Sequence, residues 1–134
     1  MWVYTQRTGS MYKPDKSLLT HGYSGNTIGL NNPDKQEMIG VGPIPRGEYT
    51  IGPAHAPIDH LGRLALPLYP APMNAMHGRS GFFIHGDNPA MNHTASNGCI
   101  ILGPAFRQAI LSSNDFILVV VDEERNVCAA FESV

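Results

Sequence analysis

"GFFIHGDNPAMNHTASNGCIILGP", residues 81–104, decides the fold. Two short apolar runs, "GFFIH" and "CIIL", are bounded by glycine, asparagine and proline, so each reads as a buried strand. The first ends at His85 and the second opens at Cys99. Between them runs a loop long enough to fold back and bring the two residues side by side. Gly103 and Pro104 then open the one good helix pattern, "PAFRQAILSS", with proline at the first helical position, where its missing N–H costs nothing. Phe106, Ala109 and Ile110 share one face, which is expected to pack on the sheet.

The flanking segments extend this β-rich pattern. "WVYTQ" from Trp2 alternates bulky and polar residues, and Gly9 with Ser10 turns the chain. In "VGPIPRGEYTIG", Pro43 and Pro45 forbid a regular helix, and Gly47 precedes a short strand to Ile51. Residues 54–79, rich in Pro, His and Gly, read as irregular chain, with "LALPLYPAP" as a lid or cleft wall. Two closing strands, "DFILVVVD" and "NVCAAFE", are expected around the turn "EERN". The expected fold is mainly β (β-rich α+β), a sandwich or barrel with one helix packed after Cys99.

The chain has 134 residues, which suits one compact domain spanning 1–134. Fourteen glycines and eleven prolines favour short strands and turns over long helices. Net charge is −2 with no basic run, which argues against a nucleic-acid groove because phosphate binding needs clustered Lys and Arg. The longest strongly apolar run, "FILVVV", is too short to span a bilayer, so no membrane insertion is expected. The start "MWVYTQRTGS" shows no signal peptide, which predicts a cytoplasmic product that leaves by another export route. Cys99 and Cys128 do not make a disulfide framework, although a single bridge stays open.

A cysteine attacks as thiolate, and the free thiol titrates near 8.5, roughly, so catalysis wants a histidine to take the proton. It also wants backbone N–H groups that hold the developing oxyanion. "SNGC" suits the second need: Gly98 lets the backbone approach a substrate carbonyl, and the Cys99 N–H can point at its oxygen. His85, at a strand end and followed by Gly86, suits the first.

"GPIPRGEYTIG", "GRSGFFIHGD" and "ASNGCIIL", in that order, resemble the L,D-transpeptidase (YkuD-like) catalytic domain. "WVYTQRTG", "GYSG" and "NNPDKQ" narrow the resemblance to the compact effectors of type VI secretion systems. The resemblance implies that Cys99 is the nucleophile and His85 the base. It also implies that Gly86 supports the histidine and that Ser96, Asn97 and Gly98 shape the oxyanion turn. Many such enzymes read Ser-His-Gly-Cys, then a hydrophobic residue and an arginine. Asn97 stands for that histidine and Ile101 occupies the arginine position, with Arg79 the nearest substitute upstream. Asp87 and Tyr23 join Gly86 and Arg79 as expected substrate contacts.

The resemblance further implies peptidoglycan stem peptides as substrate, no cofactor or metal, activity in a target-cell periplasm, and a cognate immunity protein as partner. Several rivals remain beside it. One is a metal-dependent hydrolase using His85, Asp87, His93 and Cys99, although no compact zinc-ligand spacing is present. Others are a non-catalytic cell-wall-binding module and a cysteine peptidase cutting another stem bond. Asp87 can equally orient His85 or cap its loop. His93 reads as a surface residue, Cys128 as structural, and His21, His55, His60 and His77 as ordinary.

Overall fold

The computed structural model describes residues 1–54 and 64–132. Nine strands lie in one sheet: β1 Trp2–Thr5, β2 Ser10–Tyr12, β3 Leu18–His21, β4 Tyr23–Ser24, β5 Gly47–Ile51, β6 Leu66–Pro70, β7 Phe83–His85, β8 Ile100–Ile101 and β9 Ile117–Val121. Their spatial order is β3-β2-β1-β9-β5-β6-β7-β8-β4. The two outermost strands, β3 and β4, are consecutive in the chain with only Gly22 between them. That one-residue link brings the two edges together, so the sheet curls into a nearly closed barrel, while the Gly22 N–H continues the β2–β3 pairing by donating to the Gly9 carbonyl at 2.7 Å. A Cβ on Gly22 would lie 2.0 Å from the Ile101 carbonyl oxygen, which is why this corner takes no side chain.

The run "ILVVV" becomes β9, a central strand parallel to β1 and antiparallel to β5. Its alternate residues serve two cores. Leu118 and Val120 join the barrel interior with Tyr4, Met11, Tyr49, Leu66, Ile84 and Ile100. Val119 and Val121 face outward onto a second cluster with Val3, Val127, Ala130 and Phe131. That outer cover is helix α2, Val127–Glu132.

The expected closing strand "NVCAAFE" is therefore a helix. Val127, Ala130 and Phe131 have i, i+3, i+4 spacing, and their burial covers the apolar outer face of β1 and β9. Burial of each large apolar side chain contributes about 1.5–3 kcal/mol, enough to fix so short a helix in place. Cys128 is an exposed residue of this helix, not part of a strand. The same cover explains why Trp2, Val3, Tyr4 and Thr5 are all buried instead of alternating in and out.

The helix after Cys99, α1, spans Pro104–Ser112 with Pro104 in its first turn. Its inner face is Phe106, Arg107, Ile110 and Leu111, and Ala109 is exposed. "LALPLYPAP" contains β6, so this segment is part of the sheet and not a lid. β6 pairs its first residues with β7 and its later ones with β5, which carries the sheet round a corner. His55 and His60 lie outside the described residues.

Candidate functional site

β7 and β8 run parallel at the core of the site, with Ile84 opposite Ile100 and His85 opposite Ile101. Ile84 and Ile100 are fully buried and anchor both strands in the barrel. Cys99 is the residue just before β8, and its Sγ accepts the Phe83 N–H at 3.3 Å. The thiol thus meets β7 at its first residue, and His85 is its last. Two residues of strand rise span about 6.6 Å. Thiol and imidazole are brought to the same short strand.

His85 is 3 % exposed. Its Nδ1 lies 2.8 Å from the Gly86 carbonyl oxygen. A carbonyl only accepts, so Nδ1 is the donor, and in the neutral form of the ring the lone pair is then on Nε2. Gly86 thereby selects the tautomer of His85. Burial pushes the Cys99 thiol above its ordinary range, while the Phe83 N–H and the Arg79 guanidinium pull it back. A thiol so placed is protonated at neutral pH and needs a base before it can attack.

The turn ahead of Cys99 is tied down from three sides. Ser96, fully buried, donates from Oγ to the Cys99 carbonyl at 2.6 Å and accepts the N–H groups of Gly98 and Gly25. Ser24 Oγ donates to the Gly98 carbonyl at 2.8 Å and accepts the Ile44 N–H at 2.9 Å. Asn26 Nδ2 donates to the carbonyls of Ser96 and Gly40. Gly98 sits at φ +136, and a Cβ there would fall 2.4 Å from Arg79 Nη2 and 2.8 Å from the Phe82 ring. Arg79 and Phe82 occupy the space that its missing side chain leaves.

Arg79 is buried and faces inward. Its Nη1 donates to the carbonyls of Gln36 and Pro43, and its Nη2 to those of Gly42 and Asn97. The guanidinium also stacks 5.2 Å from the Phe82 ring centroid. It clamps residues 36–43 against the turn before Cys99. Its charge reaches the thiol while all four Nη hydrogens stay on the backbone.

A cavity of about 300 Å³ opens beside Cys99, walled by Arg79, Ser80, Gly81, Phe82, Asn97 and the exposed Ile39. Asp87 and Tyr23 lie elsewhere. The Tyr23 hydroxyl donates to Asp87 Oδ1 at 2.6 Å and accepts the Ala95 N–H at 3.2 Å. Burial and the neighbouring carboxylate push this phenol up to about 12. His93 packs edge-on against the Tyr23 ring at 4.8 Å. Tyr23, Asp87, His93 and Gly86 line a second cavity of about 600 Å³.

Over residues 19–115, more than half its length, the sequence matches the Tlde1 domain. The chain belongs to the Tlde1 domain family. This is a family of type VI secretion effectors with L,D-transpeptidase-like activity. The Tlde1 match begins in β3 and ends before β9, so it leaves out "WVYTQRTG" and the α2 cover. No curated protein matches the sequence. Among the described residues, no group of three His, Cys, Asp or Glu side chains is placed to hold a metal ion. No helix among them is long and apolar enough to cross a membrane.

Sequence reasoning missed Ser24 and Asn26, the hydroxyl and amide that brace the Cys99 turn. Their signal was the run "YSGN", whose serine and asparagine sit beside a glycine at φ +86. It missed Phe82 and Ile39 as cavity walls as well: Phe82, just ahead of β7, reads as core, and Ile39 lies in a turn far from Cys99 in sequence.

Proposed function

We propose that Cys99 and His85 carry an L,D-acyl transfer on peptidoglycan tetrapeptide stems. The observation that carries this reading is the placement of a half-buried thiol and an Nδ1-protonated histidine at the two ends of β7, in a chain of the Tlde1 family. His85 Nε2 takes the thiol proton as Sγ attacks the carbonyl between the L-centre of diaminopimelate and the terminal D-alanine. A C–S bond forms, the C–N bond breaks, and D-alanine leaves as an amine with the proton from His85. Water or the amine of a D-amino acid then attacks the thioester, and the thiol is regenerated. Water gives L,D-carboxypeptidase action; an amine gives exchange or cross-linking.

The oxyanion donor in this scheme is the Cys99 N–H. Gly98 contributes no donor, because its N–H is committed to Ser96 Oγ. Among the described residues the Cys99 N–H meets no acceptor, which leaves it available to the tetrahedral oxygen. Arg79 supports the site through its positive charge beside Cys99 and its clamp on the turn.

Secreted into the periplasm of a target cell, such an enzyme removes or caps donor tetrapeptides and starves cross-linking there. A cognate immunity protein that occludes the Cys99 cavity would protect the producer. Mass spectrometry of treated muropeptides tests the reaction. Loss or exchange of the terminal D-alanine alone is expected, abolished by thiol alkylation and untouched by chelator. Cleavage at another stem bond, or loss with chelator but not with alkylation, contradicts it.

A further inference from the structure

The guanidinium of Arg79 is a buried charge without a counter-ion. Arg79 is 6 % exposed, and no Asp or Glu side chain among the described residues pairs with it. Its Nη hydrogens rest on the carbonyls of Gln36, Gly42, Pro43 and Asn97, which solvate the charge as dipoles and do not cancel it. Its Nε–H meets no acceptor among the described residues. An uncompensated cation is costly to bury, so an anion that reaches it is strongly favoured over a neutral group.

That charge stands in the wall of the cavity at Cys99. At about 300 Å³ the cavity is at the small end of ligand sites, and it suits one residue better than a length of chain. Ser80, Gly81 and Phe82 continue the wall, and their backbone N–H groups meet no backbone acceptor among the described residues. A Cβ on Gly78 or Gly81 would meet nothing within 4 Å, so a ligand reaches this backbone without a side chain in the way. No Asp or Glu among the described residues lines the cavity, and Phe82 and Ile39 add an apolar side. One positive charge, unspent N–H donors and no acid make a setting for a carboxylate, with a thiol at its edge.

We propose that the cavity beside Cys99 is a carboxylate subsite, which receives the α-carboxylate of the single residue joined to the attacked carbonyl. Two residues present that carboxylate: the terminal D-alanine that leaves, and the D-amino acid that arrives on the thioester. Both place a nitrogen at the reacting carbon and a carboxylate one carbon beyond it. A residue whose carboxylate is amidated or extended by further chain is refused. The subsite deepens the proposed function and rests on it for which carboxylate it meets, but attraction of an anion to Cys99 needs no turnover.

Site-resolved alkylation of the full chain by iodoacetate and by iodoacetamide tests the subsite. Both reagents form a C–S bond and release iodide, and only the first carries a carboxylate. Their rate ratio cancels the titration of the thiol itself, and the exposed Cys128 serves as the internal reference. The ratio of iodoacetate to iodoacetamide is expected to be about tenfold higher at Cys99 than at Cys128. Ser80→Asp is expected to lower it and Ser80→Lys to raise it, each by about threefold. N-acetyl-D-alanine is expected to protect Cys99 from iodoacetamide with saturation, and N-acetyl-D-alaninamide to give no protection. Equal ratios at the two cysteines, or equal protection by acid and amide, overturns the proposal.

Turnover separates the two residues. For the leaving D-alanine, the thioester forms on tetrapeptide stems and fails to form on their C-terminal amides. For the arriving residue, acid and amide stems acylate alike, while D-alanine outcompetes D-alaninamide as acceptor. Indifference to the carboxylate in both steps counts against the subsite. A wild-type chain that forms no thioester on any stem contradicts the Cys99 reading and leaves the alkylation result standing.

Discussion

The two loops that meet at β7 and β8 are held in different ways. The turn at residues 96–99 is fastened to other parts of the barrel: Ser24, Gly25, Asn26 and Arg79 all bond to it. The loop at residues 87–95 is held mainly by its own side chains, Asn88 to Thr94 and Thr94 to Asn92, with Tyr23 as its brace from the barrel. Met91 and His93 in it sit at positive φ, a conformation that glycine adopts more readily. The difference teaches that the fold fastens the Cys99 turn from several elements, whereas the loop beyond His85 is fastened mainly to itself. A thiol held in this way meets what the proposed attack on one bond requires.

Substitutions can break this contrast, starting with the largest effect. Gly98→Ala forces a side chain into Arg79 and Phe82 at φ +136 and is expected to cost about 3 kcal/mol, read by chemical denaturation, with most activity lost. Wild-type stability would show the turn to be looser than described. Arg79→Met strands four carbonyls and removes the nearby charge. It is expected to destabilise by about 3 kcal/mol and to slow alkylation of Cys99 at neutral pH. Unchanged alkylation would remove the guanidinium from any electrostatic part in the site.

Ser24→Ala removes bonds to Gly98 and Ile44 and is expected to cost about 1–3 kcal/mol. Tyr23→Phe acts on the other loop. It is expected to cost only about 1 kcal/mol, to speed hydrogen exchange in residues 87–95, and to leave the alkylation rate of Cys99 unchanged. A larger loss for Tyr23→Phe than for Ser24→Ala reverses the contrast.

The pH dependence sharpens it. Burial raises the thiol of Cys99, so more of it stays protonated at a given pH than in an ordinary cysteine. Alkylation of the free protein is expected to rise with pH and to reach half-maximum above the value of a model thiol. A midpoint well below it would mean a preformed thiolate, which this environment does not favour.

Much of this was legible in the residues. "GFFIH" and "CIIL" read as buried strands because short apolar runs between glycines have few other uses, and both are strands in the barrel. Pro104 marked the start of α1 because only the first turn tolerates it. The helix at Val127–Glu132 was missed because seven residues hold too few periods to separate 3.6 from 2. What decides it is the apolar outer face of β1 and β9, a tertiary fact. The inward clamp of Arg79 was also illegible, since its acceptors are backbone carbonyls and leave no mark in side-chain spacing. Closure through Gly22 was hidden for a similar reason: one residue joins the two edges, and any glycine looks like a turn.

The central claim is that Cys99 carries the acyl group. Intact-protein mass spectrometry after brief incubation with a disaccharide tetrapeptide tests it directly. The expected result is a covalent adduct on Cys99 equal to the stem less its terminal D-alanine, absent from Cys99→Ala and slow to form in His85→Gln. A folded Cys99→Ala chain that still releases D-alanine from the stem would contradict the account.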